Sequence, residues 1–177
     1  MAEAATAAAR KLLRSRCRSV IMLSLNPSRK KSFPSTWETK VEIFQREFTA
    51  AGYPIPEENI IELPCEDMCI LPVLREILPE SRPLPDSFFT ATPMVSFGLL
   101  HIAAERHWQI PGEVQIMGYA NNMNMRRTIP ELTYIELPHA AIGRQAVEHL
   151  TERIISGSIP PRKTILEATL IQGETTI

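Results

Sequence analysis

The chain has 177 residues, enough for one domain that buries a core without disulfides or a metal. Hydrophobic residues make up 44% and charged residues 22%, and 19 basic against 20 acidic side chains leave a formal charge of -1. That balance supplies no bulk field toward nucleic acid or a membrane surface, and no apolar run reaches transmembrane length.

The elements alternate along the chain. In "MAEAATAAARKLLRSRCR", Ala5, Ala8, Ala9, Leu12 and Leu13 follow helical spacing and predict a packed helix from about Ala4 to Ser15. No uninterrupted apolar stretch of the signal-peptide kind is present there. "SVIMLSL" (Ser19–Leu25) is an apolar run of strand length, and the polar "NPSRKKSFPS" follows as a loop. The next helix, in "TWETKVEIFQREFTAAG", places Trp37, Val41, Phe44, Phe48 and Ala51 on one face, with Gly52 as its stop. "NIIEL" (Asn59–Leu63) is a short strand, "LPVLREIL" a helix with Pro72 near its start, and "DSFFTA" another strand.

"TPMVSFGLLHIAAERHW" opens with Thr92 as N-cap and Pro93 at the first helical position, and Val95, Leu99, Ile102 and Ala103 form its inner stripe. "VQIMGY" is the following strand, and "LTYIEL" another. A helix over Ala140–Ser156 carries Ile142, Ala146, Val147, Leu150 and Ile154 on one side, and a last strand lies inside "KTILEATLIQ". Helix alternating with apolar strand predicts an α/β fold: three layers, a mainly parallel sheet with helices on both faces. In such sheets ligands sit beyond the carboxyl ends of the strands, here the loop after "VQIMGY" among others.

Most catalytic signatures are missing. The sequence holds no GxGxxG, no GxxxxGK[ST], no GxSxG and no HExxH, and its four histidines form no i, i+4 pair. Cys17, Cys65 and Cys69 are odd in number and lack a repeated spacing, which predicts free thiols in a reducing compartment. Cys65 and Cys69 lack two further ligands of suitable spacing, so neither a metal nor a cofactor is expected. Arg10, Lys11, Arg14, Arg16 and Arg18 cluster at a helix C-terminus, where cations complement the helix dipole; a phosphate-binding patch is the other reading. Arg29, Lys30 and Lys31 follow the first strand and read as a solvated loop or as an anion site.

The order of segments resembles one family. "IPGEVQIMGYANN", "IPELTYIELPHAAIGRQAVEHLTERIISG" and "LEATLIQGETT" resemble the C-terminal part of LacI/GalR transcription regulators. That family shows V-P-x-D-V-S-V-x-G-F-D-D, then P-x-L-T-T-V, a G-x-x-A-x-x-x-L helix and a closing L-x-x-x-L-x-x-R-x-S-T. Upstream, "FFTATPMVSFGLL" resembles F-x-A-x-N-D-x-x-A-x-G-x-L, and "TKVEIFQREFTAAG" resembles R-x-x-G-F-x-x-A-L-x-x-A-G. "AAARKLLRSRCRSVIML" resembles the family segment that contains a Gly-His pair.

The resemblance implies a periplasmic-binding-protein-like type I lobe. Residues 1–130 would form the C-terminal lobe of an effector-binding domain, 131–160 an excursion into the N-terminal lobe, and 161–177 the return strand. The DNA-reading helix-turn-helix, the hinge helix and most of the N-terminal lobe would lie outside this chain. The apolar face of Ala140–Ser156 would then lack its sheet, and must be exposed, fold back or pair with another chain.

Carried over by position, the ligand-binding residues are Lys40 for the family's arginine, Thr92 for the asparagine of its Asn-Asp pair, and Asn121 for the second aspartate of G-F-D-D. Pro93 stands where the pair has its aspartate and Ala120 where G-F-D-D has its first. The family glycine and histidine fall at Arg16 and Cys17. Two carboxylates that would bind sugar hydroxyls are thus replaced, so a sugar held as in the family is not expected. The family's dimer surface maps to Met94, Phe97, Met123 and Met125. The function implied is a non-enzymatic, cytoplasmic homodimer that senses a small-molecule effector and meets DNA only through a domain outside this chain, with no membrane contact. The alternatives are a binding module of the periplasmic type serving transport and a flavodoxin-like α/β enzyme. The latter has neither a Gly-rich phosphate loop nor an acid–base pair at strand ends.

Overall fold

The computed structural model describes residues 2–25, 36–64, 69–120, 128–157 and 162–177. In chain order the elements are α1 (Ala2–Arg14), β1 (Val20–Leu25), α2 (Thr36–Ala50), β2 (Ile60–Leu63), α3 (Ile70–Ile77) and β3 (Ser87–Thr90). They continue with α4 (Pro93–Glu105), β4 (Gln115–Ala120), β5 (Thr133–Glu136), α5 (His139–Ser156) and β6 (Thr169–Ile171). The strands form one sheet in the order β2-β1-β3-β4-β5-β6. The first five are mutually parallel, and β6 runs antiparallel to β5. A parallel sheet must be covered on both faces, which is why "VIML", "SFFT" and "QIMGY" are buried nearly throughout.

The two faces are covered by different helices. On one side α3 and α4 bring Leu74, Val95, Leu99 and Ile102 onto Ile21, Phe88 and Ile116. On the other, α1 and α2 bring Ala8, Leu12, Phe44 and Phe48 onto Met22, Phe89 and Met117. The alanines of α1 are strong helix formers with short side chains, so this helix buries Ala4, Ala5, Ala8 and Ala9 and lies close to its neighbours. Phe44 meets Phe89 with ring centroids 4.4 Å apart, a tilted contact between two fully buried side chains. Burying each such side chain contributes roughly 1.5–3 kcal/mol. Alternation therefore sorts each strand between two cores, and the expected three-layer, mainly parallel architecture is the observed one.

Local differences have local causes. Ala51 is exposed rather than on the buried face, because α2 ends at Ala50 and the chain turns through Gly52 at φ +87. Thr92 has the extended backbone of an N-cap, but its hydroxyl makes no capping bond. Its carbonyl instead accepts from both Ser96 N–H (3.2 Å) and Ser96 Oγ (3.3 Å), so Ser96 closes the first turn of α4. Strand β5 lies inside the 131–160 segment and is hydrogen-bonded into this lobe's sheet, with Leu132, Tyr134 and Ile135 buried. Helix α5, by contrast, has no buried residue; Ile142, Val147, Leu150 and Ile154 are all exposed. After it the chain returns to the sheet edge as β6.

The C-terminal residues fasten the amino ends of β4 and β5. Thr175 Oγ1 donates to Ile116 O (2.6 Å) and accepts from Thr133 N (2.9 Å), and Ile116 N donates to Thr175 O (3.0 Å). Gly173 passes so close to the carbonyls of Glu131 and Leu132 that a β-carbon has no room.

Candidate functional site

Parallel strands β1, β3 and β4 deliver Leu25, Thr90 and Ala120 to one edge of the sheet. Helix α2 leads Lys40 toward that edge. Lys40 is 5% exposed, and its ammonium sits 3.9 Å from the centroid of the Tyr119 ring. Tyr119 ends the buried part of β4, is 4% exposed, and shares its core with Trp37, Phe89 and Ala91. Burial pulls the Lys40 amine down from its ordinary 10.5 to about 8 and pushes the Tyr119 phenol up. The ring's negative face is one compensating feature, since a desolvated cation over an aromatic gains about 2 kcal/mol.

Three buried hydroxyls have no hydrogen-bond partner among the described residues: Tyr119 OH and Thr92 Oγ1 at this edge, and Tyr134 OH in the core on the other face of the sheet. By strand alternation Tyr119 faces the α1/α2 side, with its register partner Ile135, whereas Tyr134 and Glu136 point the other way. Beside Thr92, Thr90 Oγ1 and Ser96 Oγ share a buried hydrogen bond of 2.5 Å. Gly118 is tightly enclosed by Ser96 Oγ and Leu132, which fixes the backbone at the end of β4.

Of the residues expected to bind ligand, Lys40 and Thr92 both lie at this edge, and Asn121 lies outside the described residues. Sequence reasoning missed Tyr119, the ring that receives Lys40. The position matched to the family glycine, Arg16, takes the left-handed backbone at φ 63 that glycine adopts freely. Cys17 is buried with its thiol 3.8 Å from Asp86 O, and burial pushes it up to about 11, so it is inert rather than nucleophilic. Among the described residues no group of three or more His, Cys, Asp or Glu side chains can hold a metal, and no helix is long and apolar enough to cross a membrane.

Two members of the basic cluster are engaged within the lobe. Arg10 pairs with Glu47 of α2 at 2.7 Å, and Lys11 Nζ donates to Ile177 O at 2.8 Å. A groove of about 770 Å³ runs along this helix, lined by Arg10, Lys11, Arg14 and Leu170, away from the Lys40–Tyr119 pair. A second groove of about 560 Å³ lies between α3 and α4. Met94 and Phe97 line it with Ile70, Leu71 and His101, and Phe97 is 41% exposed. Met123 and Met125, the other expected dimer residues, lie outside the described residues. Arg75 reaches Glu105 across α3 and α4 at 2.6 Å at the rim.

A family profile described as a periplasmic binding protein-like domain matches residues 9–176. The HTH-type transcriptional repressor PurR of Escherichia coli O1:K1 is 27% identical over 129 residues, 73% of this chain and 38% of that protein. Catabolite control protein A of Priestia megaterium is 26% identical over 119 residues, 67% of this chain and 36% of that protein. A solved transcriptional regulator of the LacI family from Sanguibacter keddieii superposes with a TM-score of 0.83 at 27% identity, covering 97% of this chain and 63% of that one. The chain thus spans under two-fifths of the length of these curated relatives.

Proposed function

Since the chain belongs to the periplasmic binding protein-like domain family, we propose that it is the ligand-sensing and dimerisation part of a LacI/GalR-type transcription regulator, working in the cytoplasm without enzymatic activity. The observation that carries this reading is the chain path around α5. A tightly packed lobe sends out an 18-residue helix that buries none of its own residues, and the chain then returns to the same sheet. A helix with that many exposed apolar side chains needs a second layer. We assign the excursion to the residues after Glu136, through α5 to about residue 160, because β5 is bonded into this lobe. The covering layer is then the sheet of an N-terminal lobe.

In this reading Lys40, Thr92 and Asn121 belong to the ligand-binding set between the lobes, and closure on a small molecule changes how two DNA-reading heads are spaced. Two copies meet through the groove face of α4, with Met94 and Phe97 as apolar contacts. DNA is reached only through a domain outside these residues. The transport reading shares the fold, but PurR and catabolite control protein A are regulators by their names. The coding sequence upstream of Met1 separates the two. A helix-turn-helix segment followed by a hinge supports regulation, and a secretory signal there overturns it.

A further inference from the structure

The basic cluster at the carboxyl end of α1 stands beside an open groove. Helix α1 buries Ala4, Ala5, Ala8, Ala9 and Leu12 and leaves Glu3, Ala7, Arg10 and Arg14 exposed. Those four recur at helical spacing, so they form one stripe along the helix. The groove of about 770 Å³ runs between this stripe, Leu170 of β6 and the exposed Ile177. Short side chains, Ala2 and Ala7, line one end of it, and the cations Arg10, Lys11 and Arg14 line the other.

The cationic end keeps its charge. Arg10 reaches Glu47 through Nε, but that carboxylate is shared with Arg46, and the Arg10 side chain stays 59% exposed. Lys11 donates to Ile177 O. Arg14 has neither a hydrogen bond nor an ion pair among the described residues. The carboxyl end of a helix carries about half a negative charge, which three cations outweigh. Glu3, the acidic side chain in the groove wall, lies at the far end of the helix.

The groove also follows an open sheet edge. Strand β6 is last in the sheet order and pairs with β5 alone, so its other side carries unpaired N–H and C=O groups. Leu170 faces the α1 side, as does its register partner Ile135. Residues 165–168, which lead into β6, lie with Ala2 and Glu3 in an adjoining groove. Strand β6 therefore runs in the direction of α1, and its end points toward Arg14. A strand added beyond β6 would place every second side chain in the groove beside Leu170. The 13 residues of α1 span about 20 Å, the length of about six extended residues.

We propose that the α1–β6 groove docks an extended acidic segment of a partner protein. The segment adds to the sheet beyond β6, sets apolar side chains against Leu170 and Ile177, and brings carboxylates to Arg10 and Arg14. Main-chain pairing supplies affinity, and the alternate side chains supply specificity. A small anion would use the basic end alone and leave the strand edge and the apolar wall empty. Docking here needs neither Lys40 nor a second lobe.

Amide NMR titration of the 177-residue chain tests this with three synthetic peptides: acetyl-VTVEVEE-amide, its lysine-for-glutamate counterpart, and the acidic peptide with its backbone N-methylated. The acidic peptide is expected to move the amide signals of Ala7, Arg10, Arg14 and Thr169–Ile171, less so at high salt, and the lysine peptide to leave them in place. N-methylation removes the strand's donors and keeps every charge, so it should abolish the response. Arg14→Glu should weaken binding about tenfold and Arg14→Lys should largely retain it. Both variants should unfold at the midpoint of the parent, because this side chain is exposed. Silence of these amides toward the acidic peptide overturns the proposal, as does an unchanged affinity in Arg14→Glu or equal binding of the N-methylated peptide. If the same amides shift with protein concentration alone, a second copy occupies the groove and the acidic partner falls.

Discussion

Replacing Lys40 by Met probes the cost of the cation at the sheet edge. The amine titrates near 8 in the folded chain against 10.5 for an ordinary lysine, with burial as the cause. A shift of that size corresponds to about 3 kcal/mol of penalty on the charged form. The Tyr119 ring at 3.9 Å returns part of the stabilisation that methionine would forfeit, about 1–2 kcal/mol. Methionine also forfeits a further interaction of this side chain, so Lys40→Met is expected to raise stability by at most about 1–2 kcal/mol at neutral pH.

The sign with pH follows from proton counting. Below about 8 both folded and unfolded states carry the proton, and the folded state bears the full cost. Between 8 and 10.5 the folded state releases its proton first, so this residue's contribution to stability rises with pH. The advantage of Lys40→Met should thus be largest below pH 8 and shrink toward pH 10.5. Cys17 moves oppositely: its thiol is pushed up to about 11, so it contributes stability that is lost as pH rises through that value. This contribution is common to both proteins and cancels in their difference. Urea unfolding of the two chains across this pH range gives the comparison. A stability difference that ignores pH would refute the buried-charge reasoning.

Three further substitutions test other parts of the structure. Gly173→Ala places a β-carbon against the carbonyls of Glu131 and Leu132, which are backbone and cannot swing aside; thermal or urea unfolding should show a loss of about 1–3 kcal/mol. Arg16→Gly relieves a left-handed backbone at φ 63 and should stabilise by about 0.5–1 kcal/mol, the unfolded-state entropy of glycine taking back part of the relief; a destabilised variant would mean that the arginine side chain contributes packing. Phe97→Asp, on the exposed side of α4, should convert a dimer to monomer in analytical ultracentrifugation while leaving the unfolding midpoint of the monomer nearly unchanged. A monomeric parent chain removes α4 from the proposed interface.

Much of the fold is legible in the sequence because its causes are local. The apolar runs at Val20–Leu25 and Gln115–Tyr119 announce strands buried on both faces, and the spacing of Val95, Leu99, Ile102 and Ala103 announces the inner face of α4. The exposed apolar side of α5 is also readable, once a missing layer is expected from the resemblance. What stays hidden depends on pairing between distant segments. Lys40 meets Tyr119 only because β4 lies beside β3 and α2 covers that face, and neither residue type signals the other. Thr175 and Thr176 look like a polar tail, yet they are buried because they supply hydrogen bonds to the ends of β4 and β5. At Thr92 the residue type fits a cap, but the hydroxyl of Ser96, one turn on, reaches the carbonyl instead.

The most direct test of the central claim is ligand-dependent DNA binding by the complete polypeptide that contains these residues. Selection from random duplexes supplies its DNA site, and fluorescence anisotropy measures affinity with and without a small molecule that moves the Lys40 and Tyr119 amides. A bound DNA site is expected, with an affinity that changes when that molecule is present and no longer changes in Lys40→Met. A complete polypeptide that binds no DNA, or that binds it with an affinity indifferent to the molecule, would contradict it.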